Sequence, residues 1–505
     1  MKRYCENTGS GGISARLSLM LFAVTVVFTA AAAYEIPESI RQIRMGTVNV
    51  KTDPGAVVRV SQLRHEFWFG TCISNFAGIE DSLQSESRRI YNDTLARYFN
   101  TAVHENALKW EQLTDRWGSP WTPNYTIADT ILNWCEANDM KMRGHCMFWA
   151  NKGYVPDWAK ALSDDSLRLA VKEHIFDMLP RYRGRIDEWD FNNEMLHHDY
   201  FRSRLGDDII DSMLIWSKQA NPDAILYLND YSILAGGKDD NYVKQVRGFL
   251  ERGLPVGGIG CQGHFGSGVG DTAKLRKELD SLGQFGIPIK ITEMDISTDD
   301  EEKQAQEFSK ILPLAFSHEA VNGVLLWGFW EDKMWRSKGA LWLEDWTPVS
   351  SAAVWKDFIY SKWWTEVIDT ADENGDCAIP AFFGRHRIEV EGATGEDITL
   401  AKADGEVTVE IKATNVSSGR HKPRSGPSIR RMADRIIIYG VSTNLEQFSS
   451  VRMYSPDGRS VSLPVKSRTG KPESGICIGN GVERLSPGMY FLKIPGAEPI
   501  SILLN

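Results

Sequence analysis

The chain has no surplus of basic charge. Its 57 Lys and Arg are outnumbered by 67 Asp and Glu, for a formal charge of −10 over 505 residues. That excludes the basic face on which nucleic-acid binding depends. Cysteine is scarce: of seven, Cys5 precedes the first apolar run, and Cys72, Cys135, Cys146, Cys261, Cys377 and Cys477 show no CxxC spacing. A structural zinc site is therefore not expected, and no disulfide connectivity can be read from the sequence. After residue 33 no apolar run reaches membrane-spanning length. Internal repeats are absent, and no Trp occurs in the last 70 residues, although the chain holds 17.

The N-terminus carries Lys2, Arg3 and Arg16, then the apolar stretch Leu17 to Ala33. A basic start, an apolar middle and small residues before Tyr34 predict an export signal over 1–33, with an uncleaved anchor as the alternative. The expected location is secreted or at the cell surface. Residues 34–64 are expected to contribute short strands ("GTVNVKT", "AVVRVSQ").

From residue 65 to about 362, short apolar runs alternate with amphipathic stretches: "FWFGTCIS", "TAVHEN", "KMRGHCMFW", "IDEWDFNNE", "AILYLNDY", "GIGCQGHF", "PIKITEMDIS" and "GVLLWGFW". This alternation predicts an α/β fold, a parallel (β/α)8 barrel of the TIM type. Polar residues cluster at the C-terminal ends of the runs, the face on which such barrels build sites. Residues 363–412 read as alternating strands with hairpin signals in "DENGD" and "ADGE". The Ser-, Gly- and Pro-rich segment 413–434 reads as a linker, and 435–505 as a C-terminal all-β domain.

Two carboxylates stand at strand ends, Glu194 in "WDFNNE" and Glu293 in "IKITEMD". Buried carboxylates cost free energy unless they pair or work. Glycosidic cleavage needs two such groups, one protonated to supply the leaving oxygen and one ionised to attack or to activate water. Asn193, directly before Glu194, can bind a sugar hydroxyl beside the reacting bond. Structural ion pairs are the plainer reading for either glutamate alone. Core packing is the plainer reading for any single Trp or His. His197, His198 and Asp199 are expected to form a solvated loop rather than a metal site, and "DENGD" a hairpin turn rather than a calcium loop.

With these motifs in order, residues 65–360 resemble glycoside hydrolase family 10, the endo-β-1,4-xylanases. The resemblance implies Glu194 as acid/base and Glu293 as nucleophile of a retaining enzyme. "ENALKW" implies Glu105, Asn106 and Lys109 on the glycone sugars. "RGHCMFW" carries His145 and Trp149, "GCQGHF" carries Gln262 and His264, and "LLWGFWEDKMW" carries Trp327 and Trp335. Asn193 completes the substrate-binding set, xylan or a xylo-oligosaccharide is the implied partner, and neither cofactor nor metal is implied. "NKGYVPDW" and "NEMLHHDYF" resemble the plant-type branch, as do "IRMGTVNVKT", "VSQLRHEFWFG" and "TADENGDCAIPAFFGRHRIEVEG" outside the barrel, which implies that 363–412 is a small β extension pairing with 41–62; Ala150 stands where many members have His. That departure leaves open the same chemistry on another β-glycan, and a catalytically silent carbohydrate-binding barrel is the rival of a different class. "SSVRMYSPDGRSVSL" and "VERLSPGMYFLKI" resemble C-terminal sorting domains of bacterial cell-envelope secretion systems, which would make secretion machinery a partner. A carbohydrate-binding module is the alternative, with only Tyr439, Phe448, Tyr454, Tyr490 and Phe491 as aromatic candidates.

Overall fold

A computed structural model describes residues 34–75, 86–234, 237, 239–412 and seven strands beyond residue 427. The expected export signal at 1–33 lies outside the described residues. Among those described, no helix is long and apolar enough to cross a membrane.

Eight parallel strands close into a barrel. They are β3 (Trp68–Ile73), β4 (Thr101–His104), β5 (Lys141–Gly144), β6 (Glu188–Asp190), β7 (Ile225–Asp230), β8 (Gly258–Cys261), β9 (Ile289–Ile296) and β10 (Val321–Leu326). Pairing of β8 with β9 and of β10 with β3 completes the ring. A helix follows each strand: α1 (Glu86–Tyr98), α2 (Thr126–Ala137), α3 (Asp164–Arg181), α4 (Asp208–Ala220), α5 (Asp239–Glu251), α6 (Thr272–Gly283), α7 (Glu301–Phe316) and α8 (Ser350–Asp357). The strands read as unbroken apolar runs because both faces are covered; every residue of β9 is buried. Helix starts are encoded locally. Ser163, Asp271 and Asp300 accept backbone N–H groups at the first turns of α3, α6 and α7.

The barrel interior is not wholly apolar. Lys290 Nζ donates to Glu188 Oε1 at 2.8 Å and to Asn322 Oδ1 at 2.8 Å. Glu188 also lies 3.8 Å from Arg143, which pairs with Asp190. Charges of alternating sign thus neutralise one another inside the barrel, as burial requires. Close approach here depends on Gly144, where an added Cβ would fall 2.2 Å from the buried Trp189 ring.

The segment before the barrel, expected as short strands over 34–64, begins instead with a short helix, Glu38–Arg44, and the two strands follow it. Its Arg44 is buried and donates to the carbonyls of Phe316 and His318, both at 2.8 Å, and of Val321 at 2.6 Å. It thereby satisfies carbonyls at the end of α7 and the start of β10. Strands β1 (Met45–Lys51) and β2 (Val57–His65) then pair with chain some 300 residues on. β1 lies between antiparallel β12 (Asp376–Phe382) and parallel β15 (Glu406–Glu410). β2 lies between β11 (Glu366–Thr370) and β13 (Gly384–Val390), and β14 (Glu396–Leu400) extends that sheet. The inner faces enclose a separate core that includes Val48, Val58, Val60, Ile379 and Ile388.

Residues 415–505 form a second unit. Its seven strands, β16 (Ser428–Met432), β17 (Arg435–Tyr439), β18 (Ser450–Tyr454), β19 (Ser460–Ser467), β20 (Gly475–Gly479), β21 (Gly488–Lys493) and β22 (Ile500–Leu504), make one antiparallel sheet in the order β16-β17-β20-β19-β18-β21-β22. β16 falls inside the segment read as linker, because it hairpins onto β17; residues 413–427 and 433–434 lie outside the described residues. The cysteines described, Cys72, Cys135, Cys146, Cys261 and Cys377, are buried and unpaired with one another.

Candidate active site

Glu194 and Glu293 reach one cleft from different strands. After β6 the chain passes through Asn192–Asn193, which pair with Phe148–Trp149. Glu194 then adopts φ of 65°, in the left-handed region that non-glycine residues rarely occupy. Its N–H is anchored on the Asn229 carbonyl at 2.9 Å. Glu293 sits within β9, its N–H held by the Gln262 carbonyl at 2.8 Å. Both side chains are buried.

Their surroundings differ in charge. Glu194 accepts from two neutral donors, Trp149 Nε1 at 2.7 Å on Oε2 and Gln262 Nε2 at 3.1 Å on Oε1. Glu293 accepts from Asn229 Nδ2 at 2.7 Å on Oε1, and its Oε2 lies 3.1 Å from His264 Nε2. The other nitrogen of His264 is 2.6 Å from Asp295, which also takes Arg336 Nη1 at 3.1 Å. Burial alone would lower the His264 pKa, but carboxylates on both nitrogens push it up to about 9. Burial would likewise raise the Glu293 pKa; the His264 hydrogen bond, with His145 adding to it, brings the net value below the usual carboxylate range. One carboxyl is therefore held ionised by a cation, while the other has only neutral donors among these partners.

The remaining predicted residues gather around this pair. His145 Nδ1 is 2.9 Å from Asp190 Oδ2 and 3.9 Å from Glu293 Oε1, and its ring meets Trp327 edge-on at 4.9 Å. Lys109 Nζ donates to Asn106 Oδ1 at 2.7 Å and lies 4.9 Å from the Trp149 ring. Glu105, its pKa raised by burial, feels the charges of Lys109 and His145. Asn193 Oδ1 accepts from Asn229 Nδ2 at 3.0 Å. Trp335 packs edge-on against His264 at 4.9 Å and remains 55% exposed, whereas Trp327 is buried. Trp149 does not present both faces to the cleft: Tyr154 stacks on it at 3.7 Å, almost parallel, and takes one of them.

Sequence reasoning missed several members. Asn229 is the hinge of the site, donating to both Asn193 and Glu293 and accepting from Thr292 Oγ1 at 2.6 Å. Its place at the polar end of "AILYLND" was the available signal. Asp190, Arg143, Asp295 and Arg336 complete the charge network. The 197–199 loop also needs correction: His197 Nδ1 lies 2.7 Å from the buried Asp230, and His198 Nε2 lies 3.6 Å from Glu194. Burial pushes the Asp230 pKa up to about 7. His145, Asp190 and Glu293 offer ligand atoms within 4.8 Å of one another, a spacing a metal ion could use. The Asp190 Oδ2 atom is already shared by Arg143 and His145, and Glu293 by Asn229 and His264. A cation thus already neutralises this cluster.

A closed parallel barrel with two buried glutamates in opposed electrostatic settings at its C-terminal face defines the class, that of glycoside-cleaving barrels. Residues 61–357 match glycosyl hydrolase family 10, and the chain belongs to that family. It is 36% identical over 342 residues to Endo-1,4-beta-xylanase 1 of Arabidopsis thaliana, covering 66% of this chain and 34% of that protein. It is 32% identical over 360 residues to Anti-sigma-I factor RsgI6 of Acetivibrio thermocellus, covering 70% and 46%. The chain thus spans between a third and a half of the length of these curated relatives. Among solved structures, xylanase 10B from Thermotoga petrophila in complex with xylobiose is 27% identical, with a TM-score of 0.53, covering 59% of this chain and 95% of that one.

Proposed function

We propose that this protein is a retaining endo-β-1,4-xylanase that cleaves xylan by double displacement. The observation that carries the reading is the electrostatic asymmetry of the two glutamates. His264, flanked by Asp295, keeps Glu293 ionised to attack the anomeric carbon. Glu194, whose Trp149 and Gln262 donors are neutral, gives its proton to the leaving oxygen and then removes one from the incoming water. Asn193 and Asn229 sit between the two carboxyls, where a sugar hydroxyl can be bound and the nucleophile oriented. Glu105, Asn106 and Lys109 hold the glycone, and the exposed Trp335 covers the reacting sugar and excludes water. The relatives named as xylanases support the choice of substrate.

The test is an NMR time course on xylohexaose, with the β-anomer formed first. A first-formed α-anomer would mean inversion and overturn the nucleophile assignment. Glu194→Ala should retain the first-step release of dinitrophenol from dinitrophenyl xylobioside, whose leaving group needs no proton, with azide restoring turnover of the intermediate, and Glu293→Ala should lose covalent labelling by a fluorosugar. A second substrate reading has one observation in its favour. Ala150 and the Tyr154 cap on Trp149 reshape the cleft, which fits another β-1,4-glycan; hydrolysis of glucan oligosaccharides faster than xylan oligosaccharides would select it. The basic and apolar start of the chain supports secretion or surface display, and the strand motifs of 435–505 support a sorting role.

A further inference from the structure

Two residues beside the acid/base, Asn151 and His198, have no part in the chemistry above. His198 is half-buried, and its Nε2 lies 3.6 Å from Glu194 Oε2 and 3.2 Å from Asn151 Nδ2. Its position is tightly set. The N–H groups of His197 and His198 both return to the Glu194 carbonyl, at 3.1 and 2.9 Å, and the Leu196 N–H donates to Asp230 Oδ2 at 2.7 Å.

The amide of Asn151 has one orientation. Its Oδ1 accepts the Gly153 N–H at 2.8 Å, capping the short helical turn Lys152–Tyr154. The Nδ2 group is thereby turned to the imidazole. An amide nitrogen donates and cannot accept, so Nε2 of His198 must be the acceptor. The imidazole is then neutral, with its proton on Nδ1. A second proton on Nε2 would face the Asn151 N–H and break that bond. Without the restraint, an imidazole would be mostly charged near pH 5.5. Such a cation 3.6 Å from Glu194 Oε2 would favour the carboxylate and strip the general acid of its proton.

The other groups facing this corner do not substitute for that control. Trp149 and Gln262 are neutral donors to Glu194; Tyr154 and Tyr231 present phenols; His197 is engaged with Asp230. Asp230 interacts electrostatically with both Glu194 and His198, Lys109 lies over the Trp149 ring, and Glu293 is the nucleophile. We propose that Asn151 holds His198 in its neutral, Nδ1-protonated form, so that Glu194 keeps its proton until the leaving oxygen takes it. His198 and Asn151 are positioning residues acting through Glu194, and the inference rests on Glu194 being the acid/base.

The test compares xylohexaose, whose leaving group needs a proton, with dinitrophenyl xylobioside, whose leaving group does not. In the full-length protein at pH 5.5, Asn151→Ala should lower kcat/KM on xylohexaose about threefold relative to the aryl substrate, because the neighbouring cation favours the Glu194 carboxylate. The alkaline limb of the xylohexaose profile should move about one unit towards acid. Adding His198→Ala to Asn151→Ala should restore the ratio, which loss of packing alone could not do. Nitrogen NMR of the unsubstituted protein should show His198 protonated only on Nδ1 at pH 5.5. An unchanged substrate ratio in Asn151→Ala, or a doubly protonated His198 in the parent, would overturn the proposal. If Glu194→Ala instead lowers kcat/KM, which reports the first step, equally on both substrates, the acid/base assignment fails and the proposal falls with it.

Discussion

Replacing His264 with Gln tests how the nucleophile is kept ionised. Glutamine can still donate to Glu293 Oε2, now 3.1 Å from His264 Nε2, but it carries no charge. In the native site burial opposes ionisation of Glu293, and His264, with His145 adding to it, more than offsets that. With the His264 cation gone the Glu293 pKa should rise. The acid limb of kcat/KM should therefore move to higher pH by about one to three units, the range that one close opposite charge produces, with a loss of about tenfold or more below it. The rate of fluorosugar inactivation, followed by mass spectrometry from pH 3 to 8, isolates the Glu293 step. Stability should respond in the complementary window. The folded His264 pKa, raised to about 9 from 6.5, contributes stability that is fully present below pH 6.5 and lost as pH rises through 9. The contribution is about 3 kcal/mol, shared with Glu293 and Asp295. His264→Gln should flatten the fall in Tm across that window. An acid limb that stays in place would refute the argument that the imidazolium sets the charge of Glu293.

Other perturbations probe the scaffold. Gly144→Ala would place a Cβ 2.2 Å from the Trp189 ring and should cost about 1–3 kcal/mol by urea denaturation; unchanged stability would mean that β5 and β6 move apart freely. Lys290→Met leaves the Glu188 carboxylate without its ammonium partner and should cost about 3–5 kcal/mol, part of it recovered by adding Glu188→Leu. Burial lowers the Lys290 pKa to about 8, so this buried charge contributes no stability at neutral pH that its removal with Glu188 would forfeit. Ending the chain at residue 412 should leave the rate on soluble oligosaccharides near that of the full chain, since every catalytic candidate lies in the unit ending at Thr414. Loss of that activity would place part of the site in residues 415–505. If the tail sorts, the shortened chain should fail to reach the host surface or medium; if it binds glycan, only activity on insoluble substrate should fall.

The alternation of apolar runs and helical patterns by itself determined the barrel, because the strands are buried on both faces and most of the helices show one apolar stripe. It also placed Glu194 just beyond a strand, where a parallel barrel gathers its loops, whereas Glu293, expected at a strand end, lies within β9. Pairing of β1 and β2 with strands near 380 and 390 was expected through the family resemblance; its register came from side chains meeting across 300 residues of chain. Likewise, which neighbour each glutamate keeps was decided in three dimensions. Asn229 is no more polar in sequence than many other strand-end amides, yet folding puts its NH2 between Asn193 and Glu293. The stack of Tyr154 on Trp149 depends on the path of one loop over another. The charge of each carboxyl follows from partners brought to it from other strands and loops: His264 and Asn229 for Glu293, Trp149 and Gln262 for Glu194. Residue type and local pattern select the fold, since they act between near neighbours and repeat along the chain. Protonation state is set within a few ångströms of each carboxyl, by groups that only the closed barrel brings there.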